Sequence, residues 1–226
     1  MKPRPWSFSA LDDFINCPRS FEAKRVSKSV VEPRSPQMIW GEEVHKEFED
    51  RLAVNKPLRL DLQEHEPYLA AFEALDGMLF TEQKIALNKK LKPTSFFSSD
   101  VWFRGIIDAS KIDSENRCAK VIDYKTGKRH TKPNQLILFA LYVFAMYPEV
   151  DEVCSEFYWT KEPTNPTTNI YTRDQMDALW SKFVPDLRQY MEAFKTETWQ
   201  ARPSGLCNGW CPVTECEHWK PKKVRP

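Results

Sequence analysis

Apolar residues recur from Ile39 to Leu52 at Trp40, Val44, Phe48 and Leu52, the spacing of one inward face of a helix. Before it, residues 7–26 read as two short helices with Leu11, Phe14 and Ile15 facing inward. Ser9 is placed to cap the first, with Asp12 three residues on, and Pro18 suits the first turn of the second, just after Cys17. Residues 27–37, with Pro33 and Pro36, read as a loop, and residues 66–80 as a further helix. The period then shifts to alternation. Gln83–Leu91, Val101–Asp108 and Ala119–Lys125 read as strands, and turn residues at Asp113–Arg117 make the last two an antiparallel hairpin. An apolar helix over Asn134–Met146 and a strand over Val153–Trp159 follow. Thr172, with Gln175 in the reciprocal capping position, opens a long helix to about Phe194, kinked by Pro185. The pattern predicts an α/β (α+β-like) domain with a small mixed central sheet flanked by helices and no internal repeat.

The chain has 226 residues, enough for one sizeable core, and 41% of them are hydrophobic. The longest uncharged apolar run, Leu136–Tyr147, is short of the roughly 20 residues of a membrane span. With no secretory apolar stretch near Met1, the expected setting is intracellular and cytoplasmic. The net charge of +1 gives no global case for nucleic acid. Its distribution is uneven. Residues 42–76 carry ten acidic and four basic side chains, whereas lysines gather at Lys84, Lys89, Lys90 and Lys92, at Lys120, Lys125, Lys128, Arg129 and Lys132, and at Lys220, Lys222, Lys223 and Arg225. Such runs are usually solvated faces and become a phosphate track only around a site that handles phosphate.

The hairpin supplies that chemistry. In Val121-Ile-Asp-Tyr-Lys-Thr-Gly127, Asp123 and Lys125 share a face while Ile122 and Tyr124 turn to the core, and Asp108 ends Gly105-Ile-Ile-Asp on the preceding strand. Two carboxylates can hold a hard divalent cation, and a lysine can orient a water and stabilise charge on a phosphate. A lone D-x-K is more often an exposed charge pair. His45, one helical turn after Gly41, is a metal ligand if it is not simply structural. Gln135 is the polar group that opens an apolar run, and shares a helical face with Phe139 and Tyr142.

Taken in order, Gly-x-x-x-His, Gly-x-x-Asp, Asp-x-Lys-Thr-Gly and Gln-Leu resemble the RecB-like branch of the PD-(D/E)XK nucleases, including its CRISPR-adaptation members. Ser7-Phe-Ser-Ala-Leu-Asp-Asp-Phe-Ile-Asn-Cys17-Pro-Arg-Ser-Phe21 is similar to that branch's N-terminal segment. The resemblance spans about residues 7–219 and implies a restriction-endonuclease-like core. It makes residues 1–226 a single nuclease domain, with a core over 39–197 and a cysteine region of 1–26 plus 199–226. It implies His45, Asp108 and Asp123 as ligands of Mg²⁺ or Mn²⁺, joined by the Tyr124 backbone carbonyl, with Lys125 as the catalytic lysine and Gln135 as the motif glutamine. Glu82 matches an acidic residue that some members carry before the first strand. The branch usually has Tyr four residues after the Gln; here Phe139 stands there and lacks the hydroxyl, for which Tyr142 is a substitute.

Cys207, Cys211 and Cys216 cluster near one end and Cys17 lies near the other, giving four thiolates for a 4Fe–4S cluster or a tetrahedral zinc. Iron–sulfur members of the branch have one N-terminal and three C-terminal cysteines, but spaced by two and then five residues; here the gaps are three and four. His218 could replace one thiolate around zinc, and free thiols are the plain alternative. Either metal would join the two ends of the chain. Cys118 and Cys154 read as small core residues.

A motor is excluded, because a P-loop ending at Gly127-Lys128 would need Gly at 122 and Ser or Thr at 129, where Ile122 and Arg129 stand. The leading expectation is a metal-dependent DNA nuclease, an exonuclease on DNA ends or single strands. It fits recombination, repair or replication, including in a phage, and works with a separate helicase, recombinase or single-strand-binding protein. The alternatives are a catalytically silent DNA-end-binding or adaptor module and a zinc-stabilised interaction domain.

Overall fold

The computed structural model describes residues 1–129 and 133–222. Lys132, Lys223 and Arg225 of the basic runs lie outside the described residues. The chain divides into two compact units, one of residues 1–34 with 181–226 and one of residues 35–180.

The larger unit is built on a five-stranded mixed sheet: β1 (Met78–Asn88), β2 (Val101–Asp113), β3 (Cys118–Lys125), β4 (Glu152–Trp159) and β5 (Thr167–Thr172), in that spatial order. All neighbours are antiparallel except β3 and β4, which are parallel. Parallel neighbours need a crossover, and α5 (Asn134–Met146) supplies it at the bounds its apolar run predicts. The β2–β3 turn is fixed by Asp113, which accepts from the Asn116 backbone N–H at 3.0 Å and its side chain at 2.7 Å. On the sheet face opposite α5, α3 (Pro36–Val54) and α4 (Glu66–Glu73) bury Val44, Phe48, Leu52, Leu69 and Phe72 against Ala109, Ile122, Tyr124 and Tyr158.

The smaller unit packs α1 (Phe8–Asn16) and α2 (Pro18–Phe21), continued by a wider turn over Glu22–Val26, against α7 (Val184–Thr196). Phe14 and Phe21 meet Tyr190 edge-on at 5.3 and 5.5 Å, and Trp199 meets Phe194 edge-on at 4.9 Å. The first and last segments of the chain thus share one core.

Several expectations are corrected. The cap of α1 is Ser7, whose Oγ accepts from Ala10 N at 3.2 Å, not Ser9. Pro36 starts α3 instead of sitting in a loop, with Ser35 as cap. Trp40 does not face the core: it is 37% exposed, with the Arg59 guanidinium 5.1 Å over its ring. The helix over 66–80 ends at Glu73, and Met78–Phe80 belong to β1. The long helix after Thr172 keeps its reciprocal cap but breaks into α6 (Met176–Ser181) and α7, with Pro185 in the first turn of α7 rather than at a kink. β5 was not expected. Cys118 and Cys154 lie in β3 and β4 but are only half-buried. No described helix is long and apolar enough to cross a membrane.

Candidate active site at a fork in the sheet

The pairing of β2 with β3 stops at Ala109↔Ile122. Beyond it, β2 stays with β1 and β3 stays with β4, so the sheet forks. Asp108 and Asp123 are the first residues past the fork on each branch. A fork leaves backbone groups without a ladder partner. Asp108 meets one of them: its Oδ2 accepts from Tyr124 N at 2.8 Å. Both aspartates are buried.

His45 approaches from α3. Its Nε2 donates to the Tyr124 carbonyl at 2.9 Å, and its Nδ1 lies 3.3 Å from Asp108 Oδ2. Burial by itself would lower this imidazole. The hydrogen bond to Asp108 and the charges of Asp108 and Asp123 together override it, and the pKa rises to about 9. The ring therefore holds two protons between two acceptors.

Glu82 lies across from Asp108, between the pairs Thr81↔Ala109 and Gln83↔Ile107. The expectation placed it before the first strand; it is inside β1, with a φ of +47° that interrupts the ladder. A left-handed glutamate is strained, and such strain gathers at functional sites. Burial raises its pKa, and the charge of Asp108 adds to the effect.

The other branch carries a second arrangement. Lys125 Nζ lies 2.5 Å from Asp123 Oδ2. Gln135, at the start of α5, bridges the pair: its Nε2 donates to Asp123 Oδ1 at 2.7 Å and its Oε1 accepts from Lys125 Nζ at 2.9 Å. Lys125 also sits 4.8 Å over the ring of Phe157, the β4 partner of Asp123. Burial pushes Asp123 up, against the pull of Lys125.

One close approach joins two sequence motifs. A Cβ at Gly41 would come 3.0 Å from Thr126 Oγ1, so glycine lets α3 seat against the end of the Asp-x-Lys-Thr-Gly segment. Thr126, Gly41, His45 and Glu82 line an open cleft together with Met38 and Glu49.

Every site residue expected in this unit thus meets at the fork. Among the described residues, His45, Glu82 and Asp108 form a trio whose ligand atoms lie within 4.8 Å of one another. Asp123 is not in that trio; its Oδ2 meets Lys125. The site gathers three carboxylates, a backbone carbonyl and an imidazole, and burial holds two of the carboxylates, Glu82 and Asp123, above their usual range. That oxygen-rich donor set fits a hard divalent cation. Thr126 and Phe157 were missed, although Thr126 directly follows Lys125. Tyr142 is not a substitute for the missing hydroxyl at Phe139. It is buried, stacked on Phe103 at 4.3 Å, with its oxygen facing Gly105.

In the smaller unit, Cys17, Cys207, Cys211 and Cys216 are free thiols that line one cavity with His218. Arg202 N donates to Cys17 Sγ at 3.4 Å and Ser204 N to Cys207 Sγ at 3.5 Å.

Comparison with known proteins gives one family. The model of the PD-(D/E)XK nuclease superfamily matches residues 5–216. No curated protein matches the chain. Among solved structures, SSO0001 is 13% identical with a TM-score of 0.49, covering 96% of this chain and 87% of that one. A candidate exonuclease from Eubacterium rectale is 12% identical with a TM-score of 0.52, covering 98% of this chain and 90% of that one, a likeness of fold.

Proposed function

The chain belongs to the PD-(D/E)XK nuclease superfamily, and we propose that it is a divalent-metal-dependent deoxyribonuclease of the RecB-like branch. It acts as an exonuclease on DNA ends or single strands. The observation that carries this reading is the convergence of His45, Glu82 and Asp108 beside the Asp123–Gln135–Lys125 clamp at one fork.

In this reading His45, Asp108, Asp123 and the Tyr124 carbonyl hold Mg²⁺ or Mn²⁺, with Glu82 beside them. A cation bound there would polarise a phosphoryl oxygen and acidify a water. Lys125 orients the attacking water and stabilises the charge that develops on the phosphate. Gln135 positions both Asp123 and Lys125, so that the ammonium stays at the scissile phosphate. To serve as a ligand, His45 would have to be without the proton it shares with Asp108.

The reading takes residues 1–226 as one nuclease domain, with a core over 39–197 and a cysteine region of 1–26 plus 199–226. Cys17, Cys207, Cys211 and Cys216 hold a 4Fe–4S cluster, with zinc as the alternative. The shared cavity supports a metal there. The setting proposed is cytoplasmic, the host's if the protein is phage-encoded. The work is recombination, repair or replication, beside a separate helicase, recombinase or single-strand-binding protein.

The test is cleavage of end-labelled linear DNA and of closed single-stranded circles, with Mg²⁺, Mn²⁺ or EDTA. Linear DNA should shorten from its ends, circles should survive, and EDTA should stop the reaction. Cutting of circles at the same rate would overturn exonuclease action. DNA binding without products in either metal would favour the silent end-binding module.

A further inference from the structure

Past the fork, β1 and β2 continue alone as a two-stranded arm, paired from Gln83↔Ile107 to Asn88↔Val101. One face of the arm is occupied. Phe103 stacks on Tyr142 of α5, Gln83 donates to the Tyr147 hydroxyl at 2.8 Å, and Ile85 and Leu87 are fully buried. Alternation puts Lys84, Ala86, Arg104 and Ile106 on the other face. That is the side away from α5, the side on which α3 brings His45 to the fork.

This second face is furnished like a track. Lys84 pairs with Ile106, which is 41% exposed, and Ala86 pairs with Arg104. The Arg104 guanidinium lies 5.2 Å over the Phe96 ring. Phe96 meets Phe97 edge-on at 5.1 Å, and Phe97 at the tip is 80% exposed. Lys89, Lys90 and Lys92 are exposed around the same tip. Residues 83–107 hold five basic side chains and one acidic, a net of +4 in a chain whose total is +1. The acidic one, Asp100, is occupied by the hydroxyls of Thr94 at 2.7 Å and Ser98 at 2.6 Å.

We infer that this face of the arm binds single-stranded DNA and leads it into the fork. Cations interleaved with aromatic rings neutralise phosphates and stack bases. An exposed ring can stack on a base only when the base has left its own stack, which a duplex does not allow. The arm also has reach. Asn88 lies six residues on from Glu82, so the end of the arm lies about 20 Å from the carboxylates at about 3.4 Å per residue. A strand must therefore be several nucleotides long to touch both. The inference rests on the nuclease reading and narrows its substrate.

Fluorescence anisotropy in EDTA, with oligothymidylates of graded length and duplexes of matched length, tests it. Wild-type affinity should rise steeply once a strand is long enough to reach the tip. Phe97→Ala should lose that rise, weakening long single strands by roughly fivefold or more, the lower end for one stacked base. Replacing Lys89, Lys90 and Lys92 by Gln should lower the salt slope by about 2. Duplex binding should not depend on Phe97. Equal affinities of wild type and Phe97→Ala, or equal losses on single strands and duplexes, would overturn the track. If the wild type still cuts DNA in that case, only the track falls. A wild type that neither binds nor cuts any DNA would remove the nuclease reading as well.

Discussion

Gln135 is the polar residue whose contacts say most about the site. It touches both Asp123 and Lys125, so neither can move without breaking a hydrogen bond. Gln135→Leu should lower the cleavage rate by roughly 10–100-fold, the usual effect of losing a group that orients a ligand. The circular dichroism should be unchanged. Full activity in that variant would show that the clamp is incidental. His45 makes a pH prediction. Its pKa of about 9 in the fold exceeds the ordinary 6.5, so protonation stabilises the metal-free protein. That contribution is complete below about pH 6.5 and is lost as the pH rises through about 9. Melting curves in EDTA should show the wild type losing stability across this window more steeply than His45→Gln. Parallel pH profiles would contradict it.

At the scale of elements, strand alternation and the hairpin turn gave the placement of part of the site, while the roles of its residues came from the ordered motifs and the resemblance they carry. Period put Asp123 and Lys125 on one face, and the turn residues at Asp113–Arg117 put Asp108 on the neighbouring strand. Glu82 is different. It sits in β1, whose start was hidden by apolar residues that extended a helical pattern to residue 80, and its left-handed backbone has no sequence signal in a glutamate. β5 was hidden because an edge strand with exposed positions such as Ile170 carries a weak alternation. Tyr142 was misread because a hydroxyl suggests solvent, yet it serves as a packing surface for β2. A Cβ at Gly105 would come 2.8 Å from its oxygen. Gly105→Ala should therefore cost about 1–3 kcal/mol, as overpacked cores do. Adding Tyr142→Phe should recover part of the loss, because it removes the atom the methyl meets. Additive costs in urea denaturation would refute that packing.

For the whole molecule, the fork residues lie in one compact unit and the four clustered cysteines in the other. Cys17 and Cys207 stand 190 positions apart, yet both face the same cavity. A metal linking them closes a long loop, so serine at Cys17, Cys207, Cys211 or Cys216 should lower the melting temperature. Anaerobically purified protein should be brown with about four irons per chain. A colourless protein with one zinc would replace the cluster, and one with neither would leave the thiols free. None of these outcomes touches the fork. The account stands on the fork, and the rate at which Asp123→Ala cuts labelled linear DNA in Mn²⁺, beside the wild type at equal concentration, tests it most directly. The account predicts that the wild type cuts and that the folded variant does not. Cleavage by Asp123→Ala at a rate near the wild type's would contradict it.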